Sequence, residues 1–139
     1  MKRIRLNDLL KRRTKPTART EAEKKVVRIR REALANRFLG QMRDAGVPEP
    51  VREYLFIEHR RYRADFAWPE YGLEAEVDGG LLGMGRNSGH TSVTGMLRDQ
   101  ERNAEAAIAG WAVIRVSRKT IDNGQAVAWV RRWFEGRRK

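Results

Sequence analysis

The chain lacks cysteine altogether, has only two histidines among its 139 residues, and contains no long apolar run. The absence of cysteine excludes disulfides, thiolate zinc sites and cysteine nucleophiles, and it is compatible with a cytoplasmic protein. No apolar segment approaches the ~18 residues needed to span a bilayer, and no signal-peptide pattern opens the sequence. We therefore expect one cytoplasmic domain with no membrane partner.

The net charge of +12 is concentrated near the amino terminus. Residues 1–31 hold thirteen Lys/Arg against three acids, whereas residues 32–139 hold seventeen against fifteen. A basic arm on a nearly balanced domain indicates a polyanion partner, most often nucleic acid, although a solubilising tail is the alternative. If the partner is DNA, the expected contact residues are Arg12, Arg13, Lys24, Lys25, Arg28, Arg31 and Arg86.

Residues 1–20 show little apolar periodicity and are predicted to form a basic flexible arm, followed by one domain over residues 21–139. Helical spacing and strict alternation distinguish helices from strands in that domain. The predicted order is α-β-β-β-α-β-α, with helices over 21–45, 94–109 and after Asn123, and strands over 52–58, 62–68, 73–78 and 111–117. This is an α/β chain of the α+β type.

Apolar residues at helical spacing mark the helix faces that we expect to be buried. They are Leu34, Phe38 and Met42 in the first helix, Leu97, Ala104 and Ile108 in the second, and Val127, Val130 and Phe134 in the last. Asn123 is expected to cap the last helix. Its aromatic residues, Trp129, Trp133 and Phe134, form either part of the core or a dimer surface.

Two acids are expected to face each other across the second hairpin. A turn centred between Glu70 and Tyr71 pairs Phe66 with Ala75 and Asp65 with Glu76, and the apolar alternation selects the same register. Carboxylates opposed in this way repel unless a cation lies between them. Oxygen ligands without nearby His or Cys suit Mg²⁺, with Mn²⁺ as a substitute. The alternative is a solvated acidic face neutralised by Arg63 and nearby arginines. If a metal is bound, Glu74 is expected to be a solvated acid or an acid outside the direct metal ligands.

Residues 80–95 are rich in Gly, Ser, Thr and Asn, and are predicted to form a long polar loop carrying Arg86 and His90. A loop of this length in a compact domain is usually functional or mobile. An acidic patch inside a basic protein, beside such a loop, favours a metal-dependent nuclease over a purely electrostatic DNA binder.

Several segments together resemble the PD-(D/E)xK nucleases, in particular small phage and bacterial endonucleases with a very-short-patch-repair-like core. They are YRADFAWP (62–69), EVDGG (76–80), Gly89-His90, Asp99, Arg102-Asn103, Gly110-Trp111 and VIR (113–115). The resemblance covers about residues 32–134 and implies a restriction-endonuclease-like αβββαβ core, with a central mixed sheet flanked by helices. It implies that Asp65, Glu76 and the carbonyl of Val77 bind the metal, and that Glu32 is a candidate further acid from the first helix.

The chain departs from the family pattern at the lysine, whose position holds Asp78. The resemblance allows Arg102, in the following helix, to supply the cation. An arginine is no general base at neutral pH, so Arg102 would stabilise charge on the phosphate. The base would be a metal-bound water, Asp78 or His90, whose ordinary pKa near 6.5 suits proton transfer.

The predicted function is hydrolysis of DNA phosphodiester bonds by an Mg²⁺-dependent endodeoxyribonuclease, acting in DNA recombination or repair. A Holliday-junction resolvase would act on branched DNA as a homodimer, whereas a repair-type nicking enzyme would act on duplex DNA as a monomer. A homing or restriction-like enzyme would need base-reading elements, for which 139 residues leave little room. The rival from another class is a non-catalytic DNA-binding protein that retains a nuclease-like core.

Overall fold

The structure, a computed structural model, describes residues 18–78 and 93–137. Within these ranges the chain forms four helices and four strands in an α+β arrangement, and the predicted element order is confirmed with one short helix added. The elements are α1 (Glu21–Asp44), β1 (Val51–Ile57), β2 (Tyr62–Trp68), β3 (Leu73–Val77), α2 (Val93–Ile108), β4 (Ala112–Val116), α3 (Arg118–Asp122) and α4 (Gln125–Glu135). No helix in the described ranges is both long enough and apolar enough to cross a lipid bilayer.

The four strands form one mixed sheet in the order β1-β2-β3-β4. The first two pairings are antiparallel, whereas β3 and β4 run parallel and are connected through α2. Between β2 and β3 the predicted register is confirmed, since Phe66 pairs with Ala75 and Trp68 with Leu73. Parallel pairing then places Arg115 of β4 beside Glu76 of β3.

The turn between β2 and β3 depends on Gly72. Residues Pro69–Tyr71 form one 3-10 turn, and Gly72 follows in the left-handed region with φ of 60°. A Cβ atom at Gly72 would lie 3.1 Å from the carbonyl oxygen of Gly110, so both the backbone angle and the space favour glycine. This turn fixes the register that brings the acids of β2 and β3 together.

The main core lies between one face of the sheet and helices α1 and α4. The predicted stripe of Leu34, Phe38 and Met42 is buried there, and the Phe38 ring meets Phe66 edge-on at 5.5 Å between centroids. Trp129, Trp133 and Phe134 also pack against this core, in agreement with the interpretation of these residues as core. Val127 is partly buried and Val130 fully buried in the same cluster.

Helix α2 contradicts the prediction for its buried face. Leu97 is 59% exposed and Ile108 81% exposed, and Ala104 also lies on the exposed side. Ala106 is the buried apolar residue of this helix, while Arg102 points toward the sheet. The apolar stripe faces outward because Glu74 and Glu76 point from the sheet toward α2. Burying these carboxylates against apolar side chains would be costly, so the face of the helix that carries Arg102 packs on the sheet.

The carboxyl-terminal region also differs from the prediction in detail. Ser117 caps the short helix α3 through a capping box with Thr120, and this helix was not predicted. Gly124, with φ of 79°, precedes α4, so Asn123 is not its cap residue, although Asn123 Oδ1 accepts the N–H of Gln125. Strand β4 is half-buried, with Val116 fully buried at its end.

Candidate active site

Asp65 lies where the β2–β3 pairing ends. The ladder has the predicted register, but its last paired residues are Phe66 and Ala75, so it ends one step before the expected pair of Asp65 and Glu76. At that step Asp65 Oδ2 accepts the backbone N–H of Val77 at 2.8 Å. Arg31 of α1 approaches the same carboxylate, with Nη2 at 3.3 Å from Oδ1 and 3.4 Å from Oδ2. The side chain of Asp65 is 13% exposed, so solvent still reaches it.

Glu76 points toward the opposite helix, α2. Its Oε2 atom lies 2.7 Å from Arg102 Nη1, and its side chain is 20% exposed. Burial raises the pKa of Glu76 above its ordinary value, Arg102 and Arg115 oppose that rise, and the negative charge of Asp65 adds to it. The two acids therefore influence each other electrostatically even though they are not a cross-strand pair.

Of the two expectations for Glu74, the solvated acid is wrong because Glu74 is fully buried, whereas its contact with Arg102 agrees with an acid outside the direct metal ligands. Desolvation raises the pKa of Glu74 to about 7, and the positive charge and hydrogen bond of Arg102 reduce that rise. The negative charges of Glu76 and Asp65 raise it further. This strand thus holds two acids at different depths, with Glu76 nearer to solvent.

Arg102 is the cation that these two glutamates share. Its Nη1 atom lies 3.0 Å from Glu74 Oε1, and its Nη2 atom donates to Glu74 Oε2 at 3.1 Å. Nη2 also donates to the backbone carbonyl of Arg63 at 3.2 Å, and the guanidinium lies 4.9 Å from the centroid of the Phe56 ring. With 12% exposure, this guanidinium is firmly held and adjoins the site as the sequence predicted.

A cleft of about 320 Å³ opens between α1 and the sheet beside Asp65. Three arginines and three acids contribute to its lining: Arg28, Arg31, Arg52, Glu32, Glu53 and Asp65, with Ala35 and Val77. Arg52 reaches Glu32 at 3.5 Å and Asn36 at 3.4 Å, and its guanidinium lies 4.7 Å from the centroid of the Phe66 ring. The cleft is therefore a mixed-charge surface in which cations stand close to a candidate metal ligand.

The remaining candidates within the described residues take different positions. Glu32 is exposed on α1 but lines the cleft with Asp65, so it reaches the site from the surface. Val77 also lines that cleft. The N–H of Asp78 donates to the Val116 carbonyl at 2.7 Å, which holds Asp78 at the end of the parallel ladder next to Val77.

Lys24, Lys25, Arg28 and Arg31 all lie exposed on the first turns of α1. Burial of this helix begins only at Leu34, so its amino-terminal half projects from the core with these cations on it. Thr20 caps the helix through a capping box with Glu23. Arg12, Arg13, Arg86 and His90 lie outside the described residues.

Asp65 and Glu76 are the acids that could bind a divalent cation here. No group of three or more His, Cys, Asp or Glu suited to a metal is present in residues 18–78 and 93–137. Mg²⁺, however, is commonly held by one or two carboxylates with water and substrate oxygens completing the shell. Glu76 Oε2 is buried and accepts no hydrogen bond of good geometry from the described residues, despite its short ion pair with Arg102. Asp65 and Glu76 therefore each offer oxygen donors of the kind that Mg²⁺ takes, with Val77 as the neighbouring backbone.

Two cations of the site were not identified from the sequence. Arg115 of β4 lies beside Glu76, lowers its pKa, and has its Nη1 atom 3.6 Å from Asp99. Arg52 of β1 lines the cleft near Asp65. The available signal for Arg115 was a charged residue inside an otherwise apolar strand, which indicates a partner acid on the neighbouring strand.

Comparisons with protein families, with curated proteins and with solved structures gave no match for this chain. The candidate site is therefore described from its own geometry: two carboxylates just beyond the end of the β2–β3 ladder, each contacted by an arginine from a different helix.

Proposed function

We propose that this protein is an Mg²⁺-dependent endodeoxyribonuclease of the PD-(D/E)xK type, acting in the cytoplasm. The observation that carries the proposal is the placement of Asp65 and Glu76. Asp65 lies where the β2–β3 ladder ends and lines a cleft with three arginines, and its charge acts on Glu76 of the neighbouring strand. Carboxylates clustered at the centre of a DNA-binding surface weaken the attraction to phosphate, so their presence favours a chemical role over simple binding.

Each residue of the site has a part in the proposed hydrolysis. Asp65 and Glu76 would hold Mg²⁺, or Mn²⁺ in its place, which supplies Lewis-acid activation of the scissile phosphate and of the attacking water. The oxygen of that water bonds to phosphorus, one phosphodiester P–O bond breaks, and the departing oxygen takes up a proton. Arg102 is fixed beside Glu76 and would stabilise the charge that develops on the phosphate. Asp78 and His90 are proposed as the groups that accept the proton of the water.

The projecting half of α1 supports DNA as the substrate. Its lysines and arginines lie next to the cleft and take no part in the core, because the first buried residue of this helix is Leu34. Contacts to phosphate by Lys24, Lys25, Arg28 and Arg31, together with Arg12, Arg13 and Arg86, would position DNA over Asp65. We favour branched DNA, as a Holliday-junction resolvase cuts, because an arm and a projecting helix suit a non-linear duplex; such an enzyme would be a homodimer.

The decisive experiment is cleavage of supercoiled plasmid and of a synthetic four-way junction with Mg²⁺, comparing wild type with Asp65→Ala and Glu76→Ala. Both variants should lose cleavage while still binding the junction. Glu70→Ala is the matched control, since Glu70 is an exposed acid in the turn at the other end of the same hairpin. Normal cleavage by either site variant would place the metal elsewhere.

The second candidate function is DNA binding without cleavage. Two ion pairs favour this alternative. Arg31 already neutralises Asp65 and Arg102 already neutralises Glu76, so the fold does not require a metal. In that case wild type would bind junctions and duplexes but cut none of them with Mg²⁺ or Mn²⁺. Size-exclusion measurement of mass on the same samples separates the dimeric resolvase from a monomeric nicking enzyme.

A further inference from the structure

Among the described residues, Glu74 is the only charged side chain that is fully buried. It stands two positions before Glu76 on β3, so both side chains leave the strand on the face toward α2. Removing a carboxylate from water is costly unless strong partners replace the water. The partner that α2 supplies is Arg102, which also contacts a candidate metal ligand.

The contacts of Arg102 divide its guanidinium between the two glutamates. Nη2 donates a hydrogen bond to Glu74 Oε2 at 3.1 Å, and Nη1 lies 3.0 Å from Glu74 Oε1 as an ion-pair contact. The carbonyl of Arg63 holds one of these nitrogens from a third side. The other nitrogen, Nη1, is left 2.7 Å from Glu76 Oε2.

We infer that Glu74 is a positioning residue: it holds Arg102 at a fixed place beside Glu76, which keeps the cation next to the reacting phosphate. This inference rests on the proposed nuclease function and adds a residue that acts through Arg102. Glu74 Oε2 and the Arg63 carbonyl hold Nη2, while Nη1 lies against Glu76 Oε2 without a well-aligned hydrogen bond, so this oxygen keeps its lone pairs for a metal ion. The alternative is an ion pair that only fills the space beneath α2.

The variant that separates these roles is Glu74→Met combined with Arg102→Met. Removing one partner alone leaves a buried unpaired charge and destabilises strongly, whereas replacing a whole buried ion pair by apolar residues is often neutral or stabilising. The double variant also keeps the net charge of the protein, because one acid and one base are lost together. Folding is checked by thermal unfolding in EDTA, and Mn²⁺ binding is measured by calorimetry without DNA.

We expect the double variant to fold and to cleave DNA at least about a hundredfold more slowly, as expected when a fixed donor to the transition state is removed. We also expect its Mn²⁺ affinity to rise at least about threefold, because Glu76 has lost the cation 2.7 Å away. If the double variant cleaves DNA at nearly the wild-type rate and has unchanged Mn²⁺ affinity, the Glu74–Arg102 ion pair is purely structural and the inference is overturned.

Two further measurements keep the inference decidable. Glu74→Gln is made in parallel with the double variant, since it removes the charge of Glu74 but keeps Arg102, the size of the side chain and one acceptor. Arg102 should then shift its charge onto Glu76, so Mn²⁺ affinity and kcat should both fall; no change in either overturns the inference. Glu101→Gln is the matched control, because Glu101 is on the same helix as Arg102 but pairs with Arg60, in the turn before β2.

The failure of the proposed function has a different signature. If wild type binds Mn²⁺ but cuts no DNA, the nuclease proposal is wrong, and the Mn²⁺ affinity of Glu74→Gln decides the role of Glu74, because this variant keeps Arg102. A fall supports positioning of Arg102 at a cation site, and an unchanged value contradicts it. Absence of any Mn²⁺ binding by wild type overturns both.

Discussion

The carboxylate of Asp65 accepts the backbone N–H of Val77, which ties β2 to β3 one step after their ladder has ended. This candidate metal ligand therefore has a structural task as well. Its second oxygen remains within reach of Arg31 and of solvent. The two tasks respond differently to substitution, because an asparagine keeps an acceptor oxygen but loses the negative charge.

We accordingly predict that Asp65→Asn and Asp65→Ala both abolish Mg²⁺-dependent cleavage but differ in stability. Alanine leaves the N–H of Val77 without its partner, which costs about 1–3 kcal/mol in a partly buried position, whereas asparagine should retain most of that hydrogen bond. Chemical denaturation measures the difference. Equal stability of the two variants would show that the contact to Val77 contributes nothing.

Glu74 predicts a pH dependence of stability. Its pKa is about 7 in the folded protein against an ordinary 4.5, so the folded state holds the proton more tightly than the unfolded chain. The stability that this proton contributes is fully present below pH 4.5 and is lost as the pH rises through 7.

In EDTA, the free energy of unfolding of wild type should therefore fall by roughly 3 kcal/mol relative to Glu74→Gln between those limits. Denaturation series at several pH values test this, and Glu76 is present in both proteins, so its own titration cancels. The prediction is contradicted if the free energy of unfolding changes with pH in the same way for wild type and Glu74→Gln.

The projecting half of α1 predicts a change in the salt dependence of DNA binding. Arg28→Ala should reduce the slope of log K against log salt concentration by about 1, the value expected when one phosphate contact is lost. Arg37→Ala is the control, because Arg37 pairs with Asp122 at 2.8 Å and does not line the cleft. Fluorescence anisotropy with one duplex at several salt concentrations measures both slopes; equal slopes would remove Arg28 from the interface.

The hairpin turn predicts a difference between two glycine substitutions. Gly72 and Gly46 both have positive φ, at 60° and 72°, so alanine is strained at either position. Only at Gly72 does the new Cβ also meet a backbone oxygen, 3.1 Å away, whereas nothing lies within 4 Å at Gly46. Gly72→Ala should therefore cost about 1 kcal/mol more than Gly46→Ala in thermal unfolding. The reverse order would mean that the turn relaxes freely.

The outward stripe of α2 predicts unusually small effects for apolar residues. Leu97→Ala and Ile108→Ala should each change the free energy of unfolding by less than about 0.5 kcal/mol, as at other exposed sites. Phe38→Ala, in the fully buried core, should cost about 3–5 kcal/mol. A large loss at Leu97 would indicate that this face is covered in solution.

The hairpin and the first helix could be predicted from sequence because their determinants are local. The turn at residues 69–72 and the alternation of Phe66, Trp68, Leu73 and Ala75 specify one register, and the structure has that register. The spacing of Leu34, Phe38 and Met42 likewise identified the buried face of α1. Local pattern and tertiary environment agree in both elements.

The orientation of α2 could not be predicted in this way. Its apolar stripe predicted that the face with Leu97 and Ile108 would be buried. The face that packs on the sheet is instead the one with Arg102, because Glu74 and Glu76 point from the sheet toward α2. A pattern within one helix carries no information about charges on a distant strand. For the same reason the sequence proposed Asp65 and Glu76 as candidates but gave no indication that Arg115 would lie beside Glu76, which depends on the parallel pairing of β4 with β3.

That parallel pairing has a consequence for synthesis of the protein. Arg31, on α1, emerges from the ribosome well before Arg102 and Arg115, and β4 can dock on β3 only after α2 has been made. A partly synthesised chain would therefore carry the basic residues that attract nucleic acid, yet Glu74 and Glu76 would still lack their arginines. The chain would therefore be able to bind polyanions before the glutamates and arginines of the candidate site come together, so an unfinished chain would hold DNA without the geometry to cut it.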